Sequence, residues 1–467
     1  MPYNSESGDI SIAMSGDAML TQGIRMNKEP QFLKIRELQN NADVVLSNLE
    51  MTYHTHREGT PQPETEWTPT CADPRCLDEL TWFGIHAVGC ANNHAFDFGE
   101  GGVLANIRNL EDRDIPHAGT GSNLDEARMP CYVDTPKGRV ALLSCTSSFL
   151  WQSRAGPAGP TIHGRPGVSY LRHRITYTIP KALFDQLRQA TQQFGPDIRR
   201  RSPNPGGSIP FAYGPAPQPN DPVNPIGKDS DTELFFLGHR FIRGEGYSVA
   251  TEAVEEDVSD ICRWIRDAHR QAVWTAVTLH THERGQSRSL PADFVISFAH
   301  RCIDEGADVF FGHGPHINWG MEVYKGKPIF YSLGNFILTN NTLDHISPDA
   351  YIRMGLSPWT HTPADFFDQR RKLPSRPDPY PGGYAAKGPD PYPGEGLLAV
   401  VDFNSREIAE VRLYPIDTRM ETHRGTAGRP LLAEGKPAQH ILERMQHLSG
   451  LFGVDVSIRG DVGYVQT

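Results

Sequence analysis

Short apolar runs, each ending abruptly in polar residues, recur along the chain. They include Asp9 to Met19 (DISIAMSGDAM), Asp43 to Glu50 (DVVLSNLE), Ile85 to His94 (IHAVGCANNH) and Val140 to Cys145 (VALLSC). Ala272 to Glu283 (AVWTAVTLHTHE), Ala307 to His316 (ADVFFGHGPH) and Pro328 to Phe336 (PIFYSLGNF) continue the series. Their length and β-branched content predict buried strands. Helical patterning falls between several of them, at roughly 73–82, 101–113, 254–271 and 291–306. Alternating strands and helices predict an α/β fold. The polar residues gather at the C-terminal ends of the strands, where open α/β sheets keep their sites.

Two stretches depart from this pattern. Residues 151–250 are rich in Pro, Gly and Arg, with one helical pattern near Lys181 to Phe194 and a triple arginine at Arg199 to Arg201. Residues 341–396 carry the repeat PDPYPG at Pro377 to Gly382 and again at Pro389 to Gly394. Both read as insertions: exposed loops, or aromatic- and Arg-bearing walls of a substrate pocket, 151–250 as a lid. The tail from 397 predicts a hairpin turning near Asn404 and Ser405, then a closing helix at about 438–448. The chain reads as one domain, 1–467, carrying both insertions.

The formal net charge of -11 argues against a general nucleic-acid or anionic-membrane surface. Seven scattered cysteines lack zinc-knuckle spacing and read as reduced thiols. The first residues lack a secretory pattern, and no apolar stretch reaches about 18 residues. The expectation is a cytoplasmic protein acting on a small-molecule or peptide substrate, with no prediction of oligomeric state.

The polar clusters carry the chemistry. Asp17, in SGDAML, is either a turn residue or a carboxylate aimed into a cleft. The two-residue strand period puts Asn48 and Glu50 on one side. Asn92, Asn93, His94 and Asp97 crowd between a strand and a Gly-rich helix start. There Asn93 can offer an amide oxygen to a cation, and Asp97 can fix the tautomer of His94. His280 and His282 face one side of an extended segment, a spacing suited to shared metal ligation. His313 and His316 flank Gly314-Pro315, where proline stiffens the turn and glycine admits a ligand closely. Mixed oxygen and nitrogen donors without thiolates favour Mn, Fe or Zn. The natural use of such a set is a dinuclear site with an activated water.

In order, SGDAML, SNLE, ANNHAFDFGEGG, LHTHE, GHGPHINWGMEVYKGKPIFYSLGNF and GRPLLAEGKPAQHILERMQHLS resemble the capsule-synthesis, CapA-like family of the calcineurin-like metallophosphatase superfamily. That family is named for poly-γ-glutamate capsule production. The resemblance covers most of 8–145, 250–340 and 396–450. It implies a four-layer α-β-β-α sandwich with two long loop insertions, its site at one end of the central sheets. It also implies roles. Asp17 and His316 would serve a first metal, and Glu50 would replace the usual bridging Asp. Asn93, His280 and His313 would serve a second metal, with His94 the catalytic imidazole. Asp17, His313 and Asp97 are further catalytic candidates; Asn92, His282 and Asn335 are candidates for substrate contact. Met19 stands where the superfamily has a metal-binding His, so the first metal loses a ligand. His282 stands where the family has Gly; it restores a ligand or serves as an acid–base group.

Three functions follow. The first is a metal-dependent hydrolase of a phosphoester or an amide or peptide-type bond. The second is a metal-independent acid–base enzyme such as a peptide epimerase of natural-product biosynthesis, using Asp17 and His313. The third is a non-catalytic accessory protein of poly-γ-glutamate synthesis.

Overall fold

The computed structural model describes residues 9–63, 68–193, 229–236, 239–285, 287–372, 391–404 and 406–465. Arg199 to Arg201, the first PDPYPG repeat, Phe194 and Ser405 lie outside them. The chain divides into two compact units: one of 1–170, 261–291 and 299–467, the other of 171–260 and 292–298.

The larger unit holds a mixed α/β arrangement built on two large sheets. In the first, Ile10–Met19 is central, beside Val44–Leu49, then Ala87–Gly89 and His117–Ala118, all parallel. Its first half pairs antiparallel with Glu395–Asn404, and its last residues pair parallel with Asn335–Leu338, Asp17 opposite Asn335. The second sheet runs Met321–Tyr324, Lys327–Phe330, Val309–His313, Trp274–His280, Gly138–Thr146, Cys131–Thr135. Its four central strands are parallel, and His280 sits directly opposite His313.

Period-two alternation explains why the strands read as unbroken apolar runs. Ile12, Met14 and Leu46 of the first sheet share a core with Leu142, Trp274, Ala276 and Phe311 of the second. Ala13, Val45 and Val88 point the other way, onto Phe32 and Ile35 of helix Pro30–Asn40 and Leu77, Leu80 and Phe83 of helix Arg75–Phe83. Both faces of the first sheet are thus buried, and the strand ends are the places left for polar groups.

The predicted helices form at Arg75–Phe83, Gly99–Glu111, Glu255–Gln271 and Asp293–Asp304. In the tail, strands Glu395–Asn404 and Glu407–Asp417 precede helix Lys436–Gly450. Three features are additional to the sequence expectations. Helix Pro30–Asn40 buries only Phe32, Ile35 and Gln39. A closing hairpin joins Val456–Arg459 to Val462–Val465. Within 341–396, short helices Pro348–Arg353 and Pro363–Lys372 drive Ala350, Tyr351, Phe366 and Phe367 into the core, rather than standing as exposed loop.

The smaller unit takes in most of 151–250. It forms a four-stranded sheet ordered Glu233–Phe236, His239–Gly244, His173–Pro180, Ser248–Ala253. Helix Lys181–Gln193 supplies Phe184 to a small core with Ile179 and Leu234. Arg172 grips Asp257 through Nε and Nη2, both at 2.8 Å, a two-pronged pair.

Candidate metal centre

Five strand ends of the larger unit converge. Asp17 leaves the centre of the first sheet wholly buried. Its Oδ1 accepts from Asn48 Nδ2 at 2.8 Å, and its Oδ2 accepts from the Gly314 backbone N–H at 3.0 Å. Glu50 follows Val44–Leu49 and is also fully buried. His280 and His313 end adjacent strands of the second sheet, so their rings meet, Nδ1 to Nδ1, at 3.0 Å.

Hydrogen bonding sets the His313 tautomer. The Thr278 hydroxyl donates to the Phe311 carbonyl at 2.8 Å, so it can only accept from His313 Nε2–H at 2.6 Å. The Nδ1 lone pair therefore faces Asp17 Oδ1, 3.5 Å away, and His280. Burial holds His313 neutral, pushing it down to about 4 against the opposing pull of Asp17. His282 also falls to about 4, through burial and then the His316 charge. His280 lies well below its ordinary value, for burial first and its imidazole neighbours second.

His316 behaves oppositely. It is partly exposed, and its Nδ1–H is shared between Asp17 Oδ2 at 3.2 Å and Asn335 Oδ1 at 3.0 Å. Burial opposes its charge, but Glu50 and Asp17 outweigh that and lift it to about 10. Asp17 is correspondingly lowered: burial works against its charge and His316 prevails. Glu50 is pushed well above the carboxylate range, by burial and then by the Asp17 charge.

Several buried acceptors here are unsatisfied. Neither carboxyl oxygen of Glu50 has a hydrogen-bond donor among the described residues; nor have Asn93 Oδ1 and His280 Nε2. Folded proteins rarely tolerate such a group, because desolvating it costs a few kcal/mol. Three donor groups arise, each with atoms within 4.8 Å of one another: Asp17–His280–His313, Glu50–His280–His282 and Asp17–Glu50–His316. Carboxylate, amide and neutral imidazole donors without sulfur suit a borderline divalent ion such as Mn, Fe or Zn. The residues present therefore fit one.

His94 stands on the turn after Ala87–Gly89. Its Nδ1–H donates to Asp97 Oδ2 at 2.7 Å, and that oxygen also accepts from Thr70 N at 2.6 Å and Thr70 Oγ1 at 3.0 Å. The carboxylate fixes the ring so that Nε2 is its basic nitrogen.

Other sequence candidates have structural occupations. Asn92 spends its amide on Leu49 O at 2.7 Å and Asn48 Oδ1 at 3.2 Å, while its Oδ1 accepts from His94 N at 3.1 Å. Asn335 braces His316 from both sides, its Nδ2 donating to the His316 carbonyl at 2.9 Å. His282 joins the donor groups, its backbone N–H held by Ser148 Oγ at 2.8 Å. Met19 is buried in the core, with Asn340 Nδ2 3.3 Å from its sulfur. Gly314 is required by the chain's own packing: at φ +114° a Cβ there would lie 2.7 Å from Thr281 O. Thr70 and Thr278 carry no signal in the sequence, whereas Asn48 is marked only by sharing the Glu50 side of its strand, which does not reveal its hydrogen bond to Asp17.

The family description bacterial capsule synthesis protein PGA_cap matches residues 11–340, which span every one of these groups. The chain belongs to that family. It is 33% identical over 455 residues to the uncharacterized proteins y4uA and y4sH of Sinorhizobium fredii, covering 97% of this chain and 92% of each relative. It is 20% identical over 337 residues to the capsule biosynthesis protein CapA of Bacillus anthracis, covering 71% of this chain and 60% of that protein. Among the described residues no helix is long and apolar enough to cross a membrane, and the seven cysteines are free thiols.

Proposed function

We propose that this capsule-synthesis family member is a divalent-metal-dependent hydrolase, acting on a phosphoester or an amide or peptide-type bond of a polymer-related substrate. The observation that carries this reading is Glu50. Its carboxyl group is fully buried, neither oxygen has a hydrogen-bond donor among the described residues, and His280 and His316 flank it at 3.6 and 3.7 Å, an arrangement that a bound cation would account for. Asp17, Glu50, Asn93, His280, His282, His313 and His316 would hold it, as one ion or two. When bound, such an ion polarises the scissile group and makes water a nucleophile near neutral pH. The chain's own part is orientation and proton transfer. Thr278 fixes the lone pair of His313, Asn335 fixes the ring of His316, and Asp97 fixes His94 so that its Nε2 handles the leaving-group proton. The core shared by the two sheets, with helices against the first, supports extending the fold to the four-layer α-β-β-α sandwich.

Met19 favours one second reading. With no imidazole at that position, Asp17 and His313 could move a Cα proton without metal, as a peptide epimerase does. Hydrolysis of bis(p-nitrophenyl) phosphate and of glutamyl p-nitroanilide, before and after EDTA, separates the two. Hydrolysis lost with chelator and restored by Mn or Zn supports the metal reading. Chelator-insensitive deuterium uptake from D₂O at a peptide Cα, without hydrolysis, overturns it.

A further inference from the structure

His316 has φ +58°, in the left-handed region that a non-glycine residue occupies only at a cost. Such a conformation persists where its surroundings over-determine it. Those surroundings reach far along the chain. Asn335 holds the His316 carbonyl and ring; Ser332 Oγ donates to the next carbonyl, Ile317 O, at 2.8 Å. One residue on, both ends of Asn318 are clamped by a single buried ion pair. Its N–H donates to Glu395 Oε1 at 2.9 Å, and its carbonyl accepts from Arg444 Nη1 at 2.7 Å.

That pair is among the most enclosed features of the protein. Arg444 is 1% exposed and Glu395 0%. Arg444 Nη1 meets Glu395 Oε1 at 2.6 Å, and Nη2 donates to Ser289 Oγ at 3.0 Å. Glu395 Oε2 accepts from Tyr392 N at 2.9 Å, and its own carbonyl accepts from Asn335 Nδ2 at 3.4 Å. Replacing such a pair with apolar residues is often neutral for stability. Its use here is the arrangement it enforces.

We propose that the Arg444–Glu395 ion pair is a positioning device that holds the Gly314–Asn318 turn so that His316 faces Asp17 and Glu50. Helix Lys436–Gly450 thereby acts on the site through the backbone of Asn318, touching neither substrate nor ion. The proposal needs from the preceding reading only that His316 belongs to the site, and its test uses metal-free protein.

The test is a ¹⁵N-histidine spectrum of full-length protein, with His316→Gln, His280→Gln and His313→Gln assigning three signals. In Arg444→Met/Glu395→Gln, where the Gln oxygen still accepts from Asn318 N, the His316 signal should shift or split while those of His280 and His313 stay. A His316 signal unchanged in the folded variant overturns the proposal, as does equal movement of all three. Should that variant not fold, Arg444→Lys gives the same readout, since it keeps a positive charge beside Glu395 but lacks the fork that reaches Asn318 O and Ser289 Oγ. Zn affinity by calorimetry should then fall about 10- to 100-fold. Failure of wild type to bind any metal counts against the hydrolase reading and leaves the spectral result to decide this one.

Discussion

At the scale of residues, each site side chain takes its character from one or two neighbours. Thr278 decides which nitrogen of His313 is basic, Asp97 does so for His94, and Asn335 with Asp17 does so for His316. A contrast outside the centre makes the same rule measurable. His54 is 1% exposed; its Nδ1–H donates to Thr55 O at 2.8 Å, and its Nε2 has no partner among the described residues. Burial lowers its affinity for a second proton. The group is depressed in the folded state, so its stability contribution is complete above the unfolded value near 6.5 and is lost as pH falls below it. Urea unfolding between pH 7.5 and 5 should show a loss of up to about 1.4 kcal/mol per pH unit from this group, absent in His54→Phe. Equal pH slopes in the two proteins would refute the assignment. That these groups converge was legible in the sequence only as a set: any one carboxylate, amide or imidazole at a strand end is an ordinary turn residue, but five such clusters at the ends of apolar runs are hard to place separately. The residues that set their tautomers were not legible, since Thr70 and Thr278 look like any polar or strand threonine.

At the scale of elements, close approach of backbones is what brings the histidines together. Gly314 N–H reaches Asp17 Oδ2, and the position of a Gly314 Cβ lies 2.7 Å from Thr281 O and 2.9 Å from Thr281 N. Gly314→Ala combines a left-handed φ with a backbone clash, and should destabilise by about 2–3 kcal/mol. Thermal unfolding measures this; a change within about 0.5 kcal/mol would show that the turn relaxes freely. The principal strands were legible because both sheets bury long apolar runs. Those of 171–260 were not: Ser248–Ala253 is largely exposed, and His173–Pro180 finds its partners some 60 to 80 positions away, at His239–Gly244 and Ser248–Ala253. Partnerships at that range leave no local signal. Helix Pro30–Asn40 hid for a different reason, burying too few apolar residues to mark a face.

At the scale of the whole molecule, the larger unit brings residues as distant as Asp17 and His316 into one buried, charge-rich cluster at the ends of its strands. Within it Asp17 and His316 compensate one another, and burial shifts the remaining groups away from charge. Glu50 is pushed well above its ordinary range, while His280, His282 and His313 are all held neutral and His316 is the one imidazole raised. A divalent cation would satisfy the orphaned oxygens and use the neutral imidazoles together, which is the ground of the proposed metal dependence. The deciding measurement is elemental analysis of protein purified without chelator, beside Glu50→Gln. A metal-dependent centre should retain Mn, Fe or Zn in near-stoichiometric amount, about one to two ions per chain, with a marked loss in the variant. Wild-type protein that carries no such metal, and takes up none when offered excess Mn, Fe(II) and Zn, would contradict it.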